Sequence, residues 1–185
     1  MSHVAVIYAH PYPNRSRAGR ALLACVSDLP NVSVSSLYDR YPDFSIDVAR
    51  EQELLQRARV IAWQCPIYWY AVPSLLKLWF EKVLTDDFAY GANGKALTGK
   101  PVLWVTTTGT PLSSYRTNGV HHHAFDAFIR PVEETARFCG MKWQPPIVVH
   151  DAHDVSDAEL AAHGATYRAQ LELLARAEEE QARDG

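Results

Sequence analysis

The chain has 185 residues, 48% hydrophobic and 21% charged, which suits one compact domain with an ample core. A formal charge of −3, with eight histidines counted as neutral, leaves no basic face for nucleic acid and is less acidic than expected of a carrier that docks on positive partners. No apolar run reaches the ~18 residues of a membrane span, and the opening MSHVAVIYAHPYP has neither a basic stretch nor a small-residue cleavage site, so a soluble cytoplasmic protein with no direct membrane insertion is expected.

HVAVIY (3–8) is a short β-branched run and reads as a buried strand. Ser16 is placed to cap the first helix, in which Ala18, Leu22, Cys25, Val26 and Leu29 keep helical spacing. VSVSSL (32–37) reads as a second, more polar strand. Asp47 can cap the next helix, with Leu54 and Leu55 as its apolar contacts. VIAWQCP (60–66) is a third strand. The helix after it sets Leu76, Trp79, Phe80, Val83 and Leu84 on one stripe, with Pro73 in its first turn and Lys77 and Glu81 paired outside. PVLWVTTTG (101–109) is a fourth strand, followed by a helix from about Ala124 to Cys139 that stops at Gly140. PIVVHD (146–151) reads as the fifth strand. Ser156 and Glu159 have capping-box spacing for the fifth helix, whose face carries Leu160, Tyr167, Leu171 and Leu174. AEEEQARDG (177–185) reads as a charged tail that frays, leaving 1–176 as a single domain.

Strand and helix alternate five times. That pattern implies an α/β fold, a parallel sheet in the order 2-1-3-4-5 with helices on both faces. Ligands in such sheets sit at the carboxyl ends of the strands, near the switch in strand order. The loops after strands one, three and four are therefore the ones to read.

The first, HPYPNRSRAGR (10–20), has no acidic residue and carries Arg15, Arg17 and Arg20. Ser16 and the amides after it can hold one phosphate at a helix N-terminus. The plain alternative is an ordinary cap with solvated arginines. The loop lacks the glycines of a Walker A or dinucleotide fingerprint. The second, IYWY (67–70), crowds aromatic rings at a strand-to-helix junction. Its backbone can pair with the polar edge of a planar heterocycle while Trp69 and Tyr70 pack on the apolar part. The alternative is that these rings fill core or an oligomer contact. The third, TTTGTPLSSYRTNGVHHH (106–123), is long and polar. Thr107, Thr108 and Gly109 can offer backbone donors, Tyr115 a phenol, and His121 to His123 imidazoles. Three adjacent histidines make a poor metal set, because consecutive side chains diverge. No serine stands in a G-x-S-x-G elbow. Cys25, Cys65 and Cys139 never form C-x-x-C, which argues against a disulfide framework and a zinc site. A phosphate seat, an aromatic wall and a row of donors together match the parts of flavin mononucleotide (FMN).

At YAHPYP, SLYDRYPDFSID, WQCPIYWYAVPSLLKLWFEKVL, FAYG, ALTGK, LWVTTTG and PVEETARFCGMKW the chain resembles the flavodoxin-like NAD(P)H–quinone oxidoreductases, and among them the ancillary flavoproteins of glutathione-regulated Kef-type potassium-efflux systems. The resemblance implies a flavodoxin-like fold with bound FMN, contacted by His10. It implies that Ser16, Arg17, Ala18 and Gly19 bind the phosphate end. Ile67, Tyr68, Trp69 and Tyr70 would bind the flavin, as would Thr107, Thr108, Gly109 and Thr110. Thr110 stands where the family often has a second glycine, so a different backbone approach to the ring is expected there. Tyr115 and one of His121, His122 and His123 resemble in spacing a tyrosine and histidine that lie near the flavin; His121 and His122 are the candidates taken with Tyr115 as catalytic. The implied activity is ping-pong hydride transfer from NAD(P)H to a quinone. A homodimer is implied too, and a partner in the cytosolic part of a potassium-efflux transporter, which would hold the protein at the inner face of the membrane. The competing readings are a regulatory subunit with incidental reductase activity, an azo or nitro reductase, and a flavodoxin-type electron carrier.

Overall fold

The computed structural model describes residues 3–184. β1 (Val4–Tyr8), β2 (Val32–Ser36), β3 (Val60–Pro66) and β4 (Pro101–Thr107) form the body of a parallel sheet. Between and after them run α1 (Arg17–Ser27), a single turn α2 (Leu37–Arg40), α3 (Val48–Arg57), α4 (Ser74–Val83) and α5 (Asp126–Phe138). Two short strands, β5 (Lys142–Trp143) and β6 (Ile147–Val149), precede α6 (Asp157–Asp184). The order is β2-β1-β3-β4-β5, with β6 also paired to β4.

Of the expected fifth strand, 146–151, only β6 is strand, and β5 is an additional short strand ahead of it. β5 pairs with Pro101 and Val102, and β6 with Val105 to Thr107. Pro145 and Pro146 lie between them and have no N–H to give to the ladder, which keeps the two apart. The stretch 150–151 is outside the strand and turns into the rim.

Alternation within each strand builds two cores. Val4, Val6, Val60, Ala62, Leu103 and Val105 face α1 and α6. Ala5, Ile7, Ile61, Trp63, Val102 and Trp104 face the layer that holds α3, α4 and α5. Trp63, Trp79 and Trp104 are fully buried. Truncating one of them to Ala would cost ~3–5 kcal/mol.

Local caps fix where the helices start. Ser16 Oγ accepts from Gly19 N at 3.1 Å, and Asp47 Oδ1 accepts from Arg50 N at 3.0 Å. Ser156 and Glu159 form the reciprocal capping box. Gly140 takes φ +70°, the left-handed stop after α5. Pro73 sits one position earlier than expected, at the N-cap of α4. α6 continues as helix through the charged stretch to Asp184, and Glu178 there lies 4.0 Å from Lys142.

Glu51 is buried without a basic partner among the described residues. Its carboxylate accepts from Ser35 Oγ (2.8 Å), Tyr41 Oη (2.9 Å) and Trp79 Nε1 (2.9 Å). Three donors offset the loss of water and join β2, α3 and α4. The frame that carries the rim loops is therefore pinned by polar bonds as well as by packing.

Candidate functional site

The loops at the carboxyl ends of β1, β3, β4 and β6 enclose a cavity of about 440 Å³. His10, Tyr12, Arg15, Ser16, Arg17 and Ala18 form one wall. Pro66, Ile67 and Tyr68 form the second, and Thr107, Thr108 and Gly109 the third. Ala152 and His153 complete it from the far side.

The first wall is a helix start. The amides of Arg17 and Ala18 have no intrahelical acceptor, as at any helix N-terminus, and the helix dipole favours an anion there. A Cβ on Gly19 would fall 2.4 Å from Ser16 Oγ, so a larger residue would displace the capping hydroxyl. Gln64 Nε2 donates to Gly19 O at 2.8 Å and holds the turn against β3. Behind it, Tyr8 Oη and Gln64 Oε1 are buried with no hydrogen-bond partner among the described residues. Arg17 points its guanidinium at α6, donating to Asp157 Oδ1 at 2.6 Å and to Val155 O. Its share in an anion seat is thus its backbone N–H. Arg15 is exposed, and its side chain forms no ion pair among the described residues.

The second wall is a strained turn. Ile67 N donates to Thr107 O at 2.9 Å, tying it to the third wall. Tyr68 and Ala71 exchange two backbone bonds of 2.9 and 3.1 Å. Trp69 (φ +49°) and Tyr70 (φ +66°) occupy the two central positions, as in a type I′ turn. Gly and Asn are the usual residues there; a large side chain in this conformation stores ~1–3 kcal/mol. Trp69 is 93% exposed and Tyr70 52%. Tyr68 meets His10 edge-on at 5.9 Å.

Beyond the third wall lies an aromatic cluster. Tyr115 is buried, with its ring 4.4 Å from His121 and 5.0 Å from Phe125. Tyr70 meets His121 edge-on and stacks on Phe128, both at 5.5 Å. Thr110 Oγ1 lies 2.8 Å from His121 Nε2, and Thr108 Oγ1 lies 3.0 Å from His150 Nδ1. Burial lowers the pKa of His10 and His150 below the ordinary 6.5, and raises that of Tyr68.

The cavity brings together His10, Ser16, Arg17, Ala18, Ile67, Tyr68, Thr107, Thr108 and Gly109. Gly19 stands just behind it. Trp69 and Tyr70 do not line it: the first faces solvent and the second joins the Tyr115 cluster. Thr110 also belongs to that cluster. Of the two candidate histidines, His121 packs on Tyr115. His122 is exposed at φ +59° with no ring contact or hydrogen bond to the cluster among the described residues. Sequence reasoning missed Tyr12, Ala152, His153 and His150. The last three follow β6, whose carboxyl end opens on the same rim; the pattern HDAHD after an apolar run was the available signal.

Comparison with known proteins bears on this site. Residues 2–171 match the model of a family described by its flavodoxin-like fold. The glutathione-regulated potassium-efflux system ancillary protein KefF of Salmonella schwarzengrund is 46% identical over 168 residues, which is 91% of this chain and 94% of that one. The solved structure of general stress protein 14 from Treponema denticola, in complex with FMN, is 35% identical, covers 93% of this chain and 99% of its own, and superposes with a TM-score of 0.85. An NADPH-quinone reductase from P. pentosaceus is 28% identical, with 90% of this chain and 95% of that one covered and a TM-score of 0.81.

Proposed function

The chain belongs to the flavodoxin-like family, and on that premise we propose that it is an FMN-dependent NAD(P)H:quinone oxidoreductase, with residues 1–176 as its FMN-binding domain. The observation that carries this reading is the single cavity whose walls are a helix start, the first residue of an aromatic turn and a Thr-Thr-Gly segment. A volume of about 440 Å³ lies in the range of small-molecule sites. The residues present fit FMN: free amides and Ser16 for a phosphate, Arg15 for its second charge, and the 107–110 backbone for a polar ring edge. Bound FMN supplies the two-electron hydride chemistry.

The chain's own part is to place and enclose. Ser16 and the amides of Arg17 and Ala18 anchor the phosphate end. Gly109, which lines the cavity, has a backbone N–H that donates to no backbone acceptor among the described residues and is available to a ligand edge that gains negative charge. His10 packs on Tyr68 and steadies the aromatic turn. Trp69 and Tyr70 need a cover, which a second subunit of a homodimer provides. Tyr115 stands as a donor to a quinone oxygen, with the His121 ring packed against it. NAD(P)H and the quinone then use the same face in turn.

The test is steady-state kinetics of the FMN-loaded protein with NADH or NADPH and a soluble quinone. Parallel double-reciprocal lines are expected. Intersecting lines, or no turnover with either nucleotide, would overturn the proposal.

A second reading has its own support. The 46% identical relative is named as an ancillary protein of a potassium-efflux system. On this reading the chain binds the cytosolic part of such a transporter and is held from the cytoplasm at the inner face of the membrane. Co-purification of the two proteins, and altered potassium efflux when they are combined, would support it. A transporter that neither binds the chain nor responds to it would rule it out.

A further inference from the structure

We propose that Thr110 is a positioning residue: its hydroxyl sets the tautomer and orientation of the His121 imidazole, and with it the packing of Tyr115, at the edge of the FMN cavity. The functional consequence rests on the reductase reading above; the geometry rests on this chain's own bonds.

Thr110 is fixed before its side chain acts. Its carbonyl accepts from Thr108 Oγ1 at 2.8 Å and from Asp151 N at 3.1 Å. Its Oγ1 then lies 2.8 Å from His121 Nε2. His121 Nδ1 is buried and has no partner among the described residues. A neutral imidazole carries one N–H. On Nδ1 that proton would be buried without an acceptor, the costly arrangement. On Nε2 it donates to Thr110. The bare Nδ1 is the smaller loss, so the Nε2–H tautomer is the one this pocket holds. The Thr110 O–H is then the donor that the pair has left to offer.

The ring so fixed lies 4.4 Å from Tyr115 with 33° between planes, and 5.5 Å from Tyr70. A flip or tilt of His121 would disturb both phenols. Glycine at position 110 would leave both imidazole nitrogens unpartnered. Thr110 thus links the backbone segment 107–110 to the Tyr115 cluster.

The experiment reads the tautomer directly, in flavin-free protein, by long-range ¹H–¹⁵N correlation of the histidine rings, with His121 assigned through its loss in His121→Gln. The native chain and Thr110→Ser are expected to show the Nε2–H form. Thr110→Val, equal in shape but without the hydroxyl, is expected to show the Nδ1–H form or a mixture. Should Thr110→Val fail to fold, Thr110→Ala takes its place. An Nδ1–H form in the native chain, or an unchanged His121 in the hydroxyl-free variant, would overturn the proposal. In the FMN-loaded protein the same variant is expected to lower kcat about tenfold, with Thr110→Ser restoring it and the KM for NAD(P)H little changed. Failure to bind FMN would defeat the reductase reading and leave the tautomer result standing.

Discussion

Arg17 and Asp157, 140 positions apart in sequence, form an ion pair of 2.6 Å that joins the first turn of α1 to the first turn of α6. The side chain that the sequence offers to a phosphate is thus already engaged. Both partners are well exposed, so the pair itself is worth at most about 1 kcal/mol. Arg17→Ala is expected to change FMN affinity less than about threefold. Ser16→Ala removes the cap as well as an anion ligand; it should lower stability by about 1 kcal/mol and affinity about tenfold. Arg15→Ala should weaken binding in a way that fades as salt rises. Fluorescence titrations of the three variants at two salt concentrations check this. An Arg17→Ala effect larger than that of Ser16→Ala would contradict the assignment.

Trp69 shows how strain and exposure can coincide at a site. It holds a left-handed conformation and is 93% exposed. Trp69→Gly removes the strain and little packing within one chain. The flavin-free variant should match the native chain in stability or exceed it by up to ~1 kcal/mol. FMN binding or self-association should weaken in the same variant. Thermal unfolding with sedimentation equilibrium measures both. A large loss of stability would mean that the ring packs within the chain after all.

His10, which is buried, and His150, which is half-buried, contribute to an acid limit. The pKa values of His10 and His150 lie below 6.5 because burial disfavours the charged ring. Between those values and 6.5 the unfolded chain binds more protons than the native one, so stability falls as pH drops. It should be fully present above about pH 6.5 and decline below it. Thermal midpoints at about pH 7.5, 6.5 and 5.5 test the trend, and His150→Asn should flatten it. A midpoint that rises on acidification would reverse the sign and refute the account.

The cysteines should separate by reactivity. Burial pushes the Cys65 thiol up to about 12 and Cys139 up to about 11, while Cys25 is only half-buried. Alkylation of the native chain near pH 8, read by peptide mass spectrometry, should modify Cys25 first. Cys65 should react only after unfolding.

Much of this was legible because it is local. Ser16, Asp47 and the Ser156–Glu159 pair are caps that act within four residues, and the Leu76–Leu84 stripe follows from helical period alone. Strand order followed from alternation. What stayed hidden was non-local or chemically disguised. The Arg17–Asp157 pair spans nearly the whole chain. The turn at Trp69 and Tyr70 lacks the Gly or Asn that announces its type. The extra strand β5, and the shortness of β6, depended on which β4 residues the chain could reach on either side of Pro145 and Pro146. His150 and His153 follow a strand whose rim was not among the loops considered. The equal standing of His121 and His122 in sequence dissolves once their backbones diverge: only His121 reaches Thr110 and Tyr115.

The central claim is that the rim cavity holds FMN by its phosphate and one ring edge. Flavin fluorescence, titrated with purified flavin-free protein, tests it most directly, with riboflavin as the phosphate-free control. The account predicts saturation at one FMN per chain, and riboflavin bound at least about tenfold more weakly. Fluorescence unchanged at excess protein, or riboflavin bound as tightly as FMN, would contradict it.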